Sequence, residues 1–181
     1  MSFEDHSATP DVSEPGQMKG ARGSGLAGLR GKRAKAVEAL HIDLPVQRSE
    51  EKYGQRVIVR YRAFTGAEAD STRKRFKKDR RDGVDVIANS VILAKCCLGI
   101  FTEVERDDPD AWMKFDPELA EVLLTDEDGN VDQAALADIR SSDEVVRLLY
   151  ITDGDVMKTA EKLSDFSGFS LEELDEDSAG N

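Results

Sequence analysis

Histidine, cysteine and aromatic residues are all scarce in this 181-residue chain, and each scarcity removes a class of chemistry. The two histidines, His6 and His41, have no Cys, Asp or Glu partner at metal-ligand or triad spacing. Two cysteines, adjacent at Cys96 and Cys97 within VILAKCCLGI, are too few for a disulfide framework. They read as reduced, core-type residues. Aromatics make up only 6% of the chain, so the core should be modest and aliphatic. No apolar run approaches the ~18 residues that cross a bilayer, and no basic-then-apolar leader opens the sequence. These absences give an expectation of a cytoplasmic protein with no membrane partner. Positive charge is also short. The formal net charge is −12, which favours solubility and disfavours nucleic acid as a general partner.

What charge there is lies unevenly. Residues 56–81 carry ten Lys/Arg against three Asp/Glu, and residues 82–181 carry seven against twenty-six. A basic segment feeding an acidic body suggests electrostatic matching within the fold or with a partner. Residues 1–36 are polar, then Gly-rich and basic, without periodicity, and are expected to form a disordered arm. Residues 37–174 are expected to form a single mainly helical domain with one strand or hairpin. Residues 175–181 are expected to form an acidic disordered tail.

Within that domain, VEALHIDLPVQRS at 37–49 fits a strand or an extended arm ending at Pro45. RVIVRYRAF at 56–64 alternates Val57, Val59 and Tyr61 against Arg60 and Arg62, the pattern of a half-exposed strand. Thr65 and Glu68 form a capping box that opens a basic helix through about Lys78. Residues 84–99 place Val84, Ile87, Val91, Ala94, Cys97 and Leu98 at helical spacing and predict the core helix. Ile100–Val104 reads as a short strand or an extended exit. Asp116-Pro117-Glu118 starts a helix to about Leu124, and Ser141 with Glu144 caps another through about Tyr150. A further helix begins at Asp153 and exits through Gly168. Ser170 and Glu173 would cap a last short one. The expected class is α+β, mostly α-helical, with a small β element at about 56–64 packed with a helical bundle.

Motifs with chemical meaning fail in detail. GLRGKRA at 28–34 lacks the first Gly of a phosphate-binding loop, where Leu26 stands, and has Arg33 in place of Ser or Thr. DEDGNVDQAALA at 126–137 places Asp126, Asp128, Asn130 and Asp132 at calcium-loop positions. But Val131 stands where the turn needs Gly, and Ala137 where a bidentate Glu should close the shell. A capped turn explains it better. Ser24 in GSGLAG follows no strand and is not a nucleophile elbow. The residues therefore offer no catalytic set, no metal site and no cofactor site. The basic helix STRKRFKKDRR could bind RNA, but its single aromatic, Phe76, fits a packing anchor better than a base-stacking platform.

The strand-and-cap stretch VIVRYRAFTGAEAD is similar to a segment of the tail assembly chaperones of long-tailed, siphovirus-type bacteriophages, particularly those of actinobacterial hosts. Val57, Val59, Arg60, Thr65, Gly66, Glu68 and Asp70 carry the likeness. The apolar helix with its Cys resembles that family as well. So does the ending, through Ala160, Lys162, Leu163, Phe166, Ser167, Gly168, Phe169, Ser170, Glu172, Glu173, Leu174 and Asn181. The likeness covers about residues 40–181, with residues 105–116 (ERDDPDAWMKFD) looking like an insertion.

The resemblance implies a non-enzymatic role in the host cytoplasm. Such chaperones bind the tape measure protein, keep it soluble, promote assembly of the tail tube around it, and are absent from the mature virion. The implied partners are the tape measure protein, the major tail protein of the tube, and a longer form of the chaperone made by a −1 ribosomal frameshift. Ala179-Gly180-Asn181 is compatible with a slippery site. A groove between the 84–99 and 155–171 helices is the expected contact surface, with Ile87, Val91, Leu98, Leu163, Phe166, Phe169 and Leu171 as its residues. Two other readings are a virion structural protein (a head-to-tail connector or tail-tube component) and an RNA-binding regulator using residues 19–35 and 73–81.

Overall fold

The computed structural model describes residues 32, 35, 36, 39–79 and 82–169. The chain divides into two units, Met1–Ala36 and Val37–Asn181, and the second contains the elements that follow. The expected Ser170–Glu173 cap, Leu171, the acidic tail and nearly all of residues 1–36 lie outside the described residues.

Three strands form an antiparallel sheet in the order β1 (His41–Pro45), β2 (Val57–Arg62), β3 (Cys97–Thr102). Around it run seven described α-helices: α1 (Ser49–Tyr53), α2 (Gly66–Phe76), α3 (Val84–Cys96), α4 (Pro117–Leu123), α5 (Gln133–Asp138), α6 (Ser142–Leu149) and α7 (Asp153–Phe166). The class is therefore α+β and mostly helical, as the periodicities predict. The β element is larger than a single strand, because both flanking segments pair with β2.

The central position of β2 corrects its expected half-exposure. One face, with Val57, Val59 and Tyr61, joins Leu44 and Ile100 in the main core. The other face is covered too: Ile58 and its partner Phe101 are each 2% exposed. Arg60 stays on this second face by forming a bidentate pair with Asp43 across the β1–β2 ladder, Nε to Oδ1 at 2.6 Å and Nη2 to Oδ2 at 2.8 Å. Those hydrogen bonds hold the Asp43 carboxyl below its ordinary range, against a smaller opposing effect of burial.

Helix α3 stops earlier than the apolar spacing predicts. Cys96 ends the helix, and Cys97 enters β3 with extended backbone. The ladder then slips: Arg60 faces Gly99 while Tyr61 faces Cys97, so Leu98 is the extra residue of a β-bulge. The buried face of α3 is Ser90, Val91, Leu93 and Cys96, rotated from the expected stripe. Val84, Ile87 and Ala94 are only half-buried. Burial pushes the Cys96 thiol up to about 11 and the Cys97 thiol up to about 12, so both are protonated, unreactive packing groups.

α3 packs on α6 and α7, and together they cover the inner face of the sheet with Leu93, Val145, Val146, Leu149, Val156 and Leu163. In this layer the Tyr61 and Tyr150 hydroxyls meet at 2.8 Å, and burial raises both pKa values. Tyr150→Phe and Tyr61→Phe should each cost about 1–2 kcal/mol, because either change leaves the other buried hydroxyl without the partner it has here. Urea denaturation of the two variants measures it.

Local capping follows the sequence. Thr65 Oγ1 accepts from the Glu68 amide at 3.3 Å, and the Glu68 carboxylate accepts from the Thr65 amide at 2.9 Å. The same carboxylate takes a fork of two bonds from Arg62, at 2.6 and 3.1 Å. Those Arg62 bonds, more than the backbone bond, pull the Glu68 pKa down to about 2. A depressed carboxyl stabilises the fold above its unfolded value and loses that contribution as pH falls. Glu68→Gln should thus cost about 1 kcal/mol at pH near 7, and the difference from wild type should vanish as pH falls from about 4.5 toward about 2. Denaturant titrations across that window measure it.

Candidate functional site

Two of the residues expected for a partner surface are interior. Val91 is 5% exposed and Leu163 is fully buried, so both belong to the packing of α3 and α7. Phe166 is half-buried and packs on the same core. Phe169 stacks on Phe64 with ring centroids 5.1 Å apart and lies over the start of α2 at Gly66. Ile87 and Leu98 are half-buried on separate elements. None of these six lines the cleft described next, and Leu171 is outside the described residues.

An open cleft lies elsewhere, and residues distant in sequence build it. Its volume is about 740 Å3. One wall is the β1–β2 connection, from Glu51 through Tyr53 to Val57. A second is the edge of β3, with Ile100 and Phe101. A third is α4, with Leu119, Val122 and Leu123, extended by the turn at Thr125–Glu127. Each wall has a physical reason to stand where it does. Asp116 caps α4 by accepting from the Leu119 amide at 3.1 Å, and Pro117 starts the helix without needing its missing N–H. The Tyr53 hydroxyl donates to the Leu149 carbonyl at 3.0 Å, which ties α1 to α6 across the cleft floor. Met113 bridges to Ile100 with reciprocal backbone bonds of 2.9 and 3.0 Å, so the segment after β3 returns along that strand.

The same segment is the stretch that looks like an insertion, and it carries a joint that sequence alone does not show. Gly99 leaves a gap on the outer face of β3, and the Trp112 indole fills it. The indole stacks on Phe101 at 4.6 Å and donates from Nε1 to the Glu105 carbonyl at 2.8 Å. The Arg60 guanidinium lies 4.7 Å from its ring centroid. Glu105 in turn accepts from the Thr102 amide and hydroxyl, each at 2.9 Å. The joint thus fixes the segment that brings Glu105, Ala111 and Met113 to the cleft.

The lining is apolar at the floor, with Tyr53, Val57, Ile100, Met113, Leu119 and Leu149, and acidic around the mouth. Glu51, Glu105, Asp126 and Glu127 stand there against one cation, Lys52. Val122, on the α4 wall, is 57% exposed. It is one of four exposed large hydrophobics among the described residues, and the only one of the four that lines the cleft. An apolar floor with a carboxylate rim suits an apolar side-chain stripe flanked by lysine or arginine.

The turn at 126–130 is a hydrogen-bonded cap. Asp126 Oδ1 accepts from the Asp128 and Asn130 amides at 3.0 and 2.7 Å, which lowers its pKa, the Asn130 amide contributing most. Gly129 supplies the positive φ of 82° that closes the turn. Among the described residues, no group of three His, Cys, Asp or Glu is placed to hold a metal ion, and no helix is long and apolar enough to cross a membrane. On α2, Arg73, Lys74 and Arg75 are exposed, as are Lys77 and Lys78 just beyond its end, while Phe76 is half-buried with the Arg75 guanidinium 5.1 Å from its centroid.

Compared with protein-family models, with curated proteins and with solved structures, the chain matches none.

Proposed function

We propose that this protein is a non-enzymatic tail assembly chaperone of a long-tailed bacteriophage. In this reading it binds the tape measure protein in the host cytoplasm, keeps it soluble, promotes assembly of the major tail protein around it, and is left out of the mature virion. The observation that carries the reading is the acidic-rimmed apolar cleft between β3 and α4, with Val122 exposed on its wall. A tape measure protein is a long helical chain, and its apolar stripes would self-associate if left uncovered. A helix laid along the cleft would bury apolar side chains on Met113, Val122 and Leu123 and set its basic flanks against Glu51, Glu105, Asp126 and Glu127. The chain's net charge of −12 would then be lent to the complex as solubility. The residue likeness in VIVRYRAFTGAEAD and FSGFSLEEL supports the same assignment.

Co-expression tests it. The tape measure protein of the same genome should be soluble and co-purify with this chain, and insoluble without it. A tape measure that stays insoluble, or that never associates, would sink the proposal. The reading also includes a minor, longer product made by a −1 slip near Asn181. Intact-mass and immunoblot analysis of the native gene with its downstream region should show it beside the 181-residue form.

A further inference from the structure

The last described residue, Phe169, sits at the first turn of the basic helix. Its ring is stacked on Phe64 and lies over Gly66, 3.7 Å from where a side-chain carbon there would be. The Phe169 amide donates to the Ser164 carbonyl at 3.0 Å, and the Ser164 hydroxyl donates to the Phe169 carbonyl at 2.7 Å, so the exit point of the chain is fixed. Helical spacing puts Gly66, Asp70 and Arg73 on one face of α2, with Lys74 beside it, and Lys77 and Lys78 follow in the turn after the helix. All of the basic residues in that group are exposed. Arg73 has Asp70 at 4.0 Å, while Lys74, Lys77 and Lys78 have no carboxylate within 4 Å among the described residues. Beyond Phe169 the sequence is SLEELDEDSAGN, which holds five carboxylates in residues 172–177 and no basic residue.

We infer that the acidic segment Glu172–Asp177 docks in cis along the basic face of α2. Reach permits it. The end of α2 at Phe76 lies about 15 Å along the helix from Gly66 at 1.5 Å per residue, with Lys77 and Lys78 just beyond, and eight extended residues from Ser170 span up to about 26 Å. Four basic residues, Arg73, Lys74, Lys77 and Lys78, stand there against five acidic ones at 172–177. Separations of a few ångströms fall well inside the screening length of ~10 Å at 0.1 M salt. The pairing would cover the one strongly basic described surface of an acidic protein, and so keep α2 from collecting RNA or other polyanions.

A nitroxide on Ser178→Cys in the full chain tests this, with buried Cys96 and half-buried Cys97 left unlabelled. At about 50 mM salt the amide signals of residues 73–78 should broaden, and they should recover at about 500 mM salt. The variant carrying Glu172→Gln, Glu173→Gln, Asp175→Asn, Glu176→Gln and Asp177→Asn should show no broadening. It should also bind a short single-stranded RNA at least about tenfold tighter than wild type at low salt. No broadening in the wild-type tail overturns the inference. So does broadening that appears only between separately labelled molecules, or RNA affinity equal in the two proteins.

Discussion

Replacing Trp112 with alanine is expected to cost about 3 kcal/mol. The indole is held by three contacts at once: the stack on Phe101, the Nε1–H bond to Glu105, and the Arg60 guanidinium over its face. Removing it opens the outer face of the sheet and frees residues 103–113, so stability falls and the cleft loses its fixed Glu105, Ala111 and Met113. Gly99→Ala should be destabilising for the opposite reason, because a methyl there overlaps the indole ring. The two changes are coupled. With Trp112 already alanine the overlap with the ring is gone and only the Cβ of residue 112 remains, 3.1 Å from the added methyl, so Gly99→Ala should cost much less. A double-mutant cycle in urea should return a coupling of at least about 1 kcal/mol, and simple additivity would show that Trp112 does not fill the Gly99 gap.

Val122→Asp is expected to do the reverse: leave the fold alone and remove the binding. Val122 is 57% exposed, so its replacement should change stability by less than about 0.5 kcal/mol. In a complex the aspartate would be buried against an apolar stripe and would add to an already acidic rim. The cost of desolvating that charge, on the order of 3 kcal/mol, corresponds to affinity weakened about a hundredfold. Met157→Asp provides the comparison, since Met157 is also exposed but does not line the cleft. It should bind as wild type does.

Much of the fold is legible because its signals are local. The alternation Val57-Val59-Tyr61, the Thr65/Glu68 box, the Asp116-Pro117 start, the Ser141/Glu144 cap and the left-handed Gly168 each concern residues within a few positions of one another. The end of α3 is not legible, because VILAKCCLGI is apolar throughout and a buried helix and a buried strand share that composition. Only pairing with β2 places the break at Cys97. The short helices α1 and α5 are missed for lack of length, five and six residues with no apolar stripe. The second buried face of β2 escapes the alternation rule because Arg60 survives there only through Asp43 and Trp112, which are distant in sequence. The cleft could not be anticipated, since its walls come from residues 51–57, 100–113, 119–127 and 149. The helical residues chosen in its place, Val91 and Leu163 above all, have the apolar spacing of a core, and the core is where they lie.

The central claim is that the β3–α4 cleft receives a basic amphipathic helix of the tape measure protein. Its most direct test is a titration of wild type, Val122→Asp and Met157→Asp with a labelled helical segment of that protein, at physiological salt. The account predicts tight, salt-weakened binding for wild type and Met157→Asp, and at least about tenfold weaker binding for folded Val122→Asp. Equal affinity for all three would contradict it and move the contact to another surface.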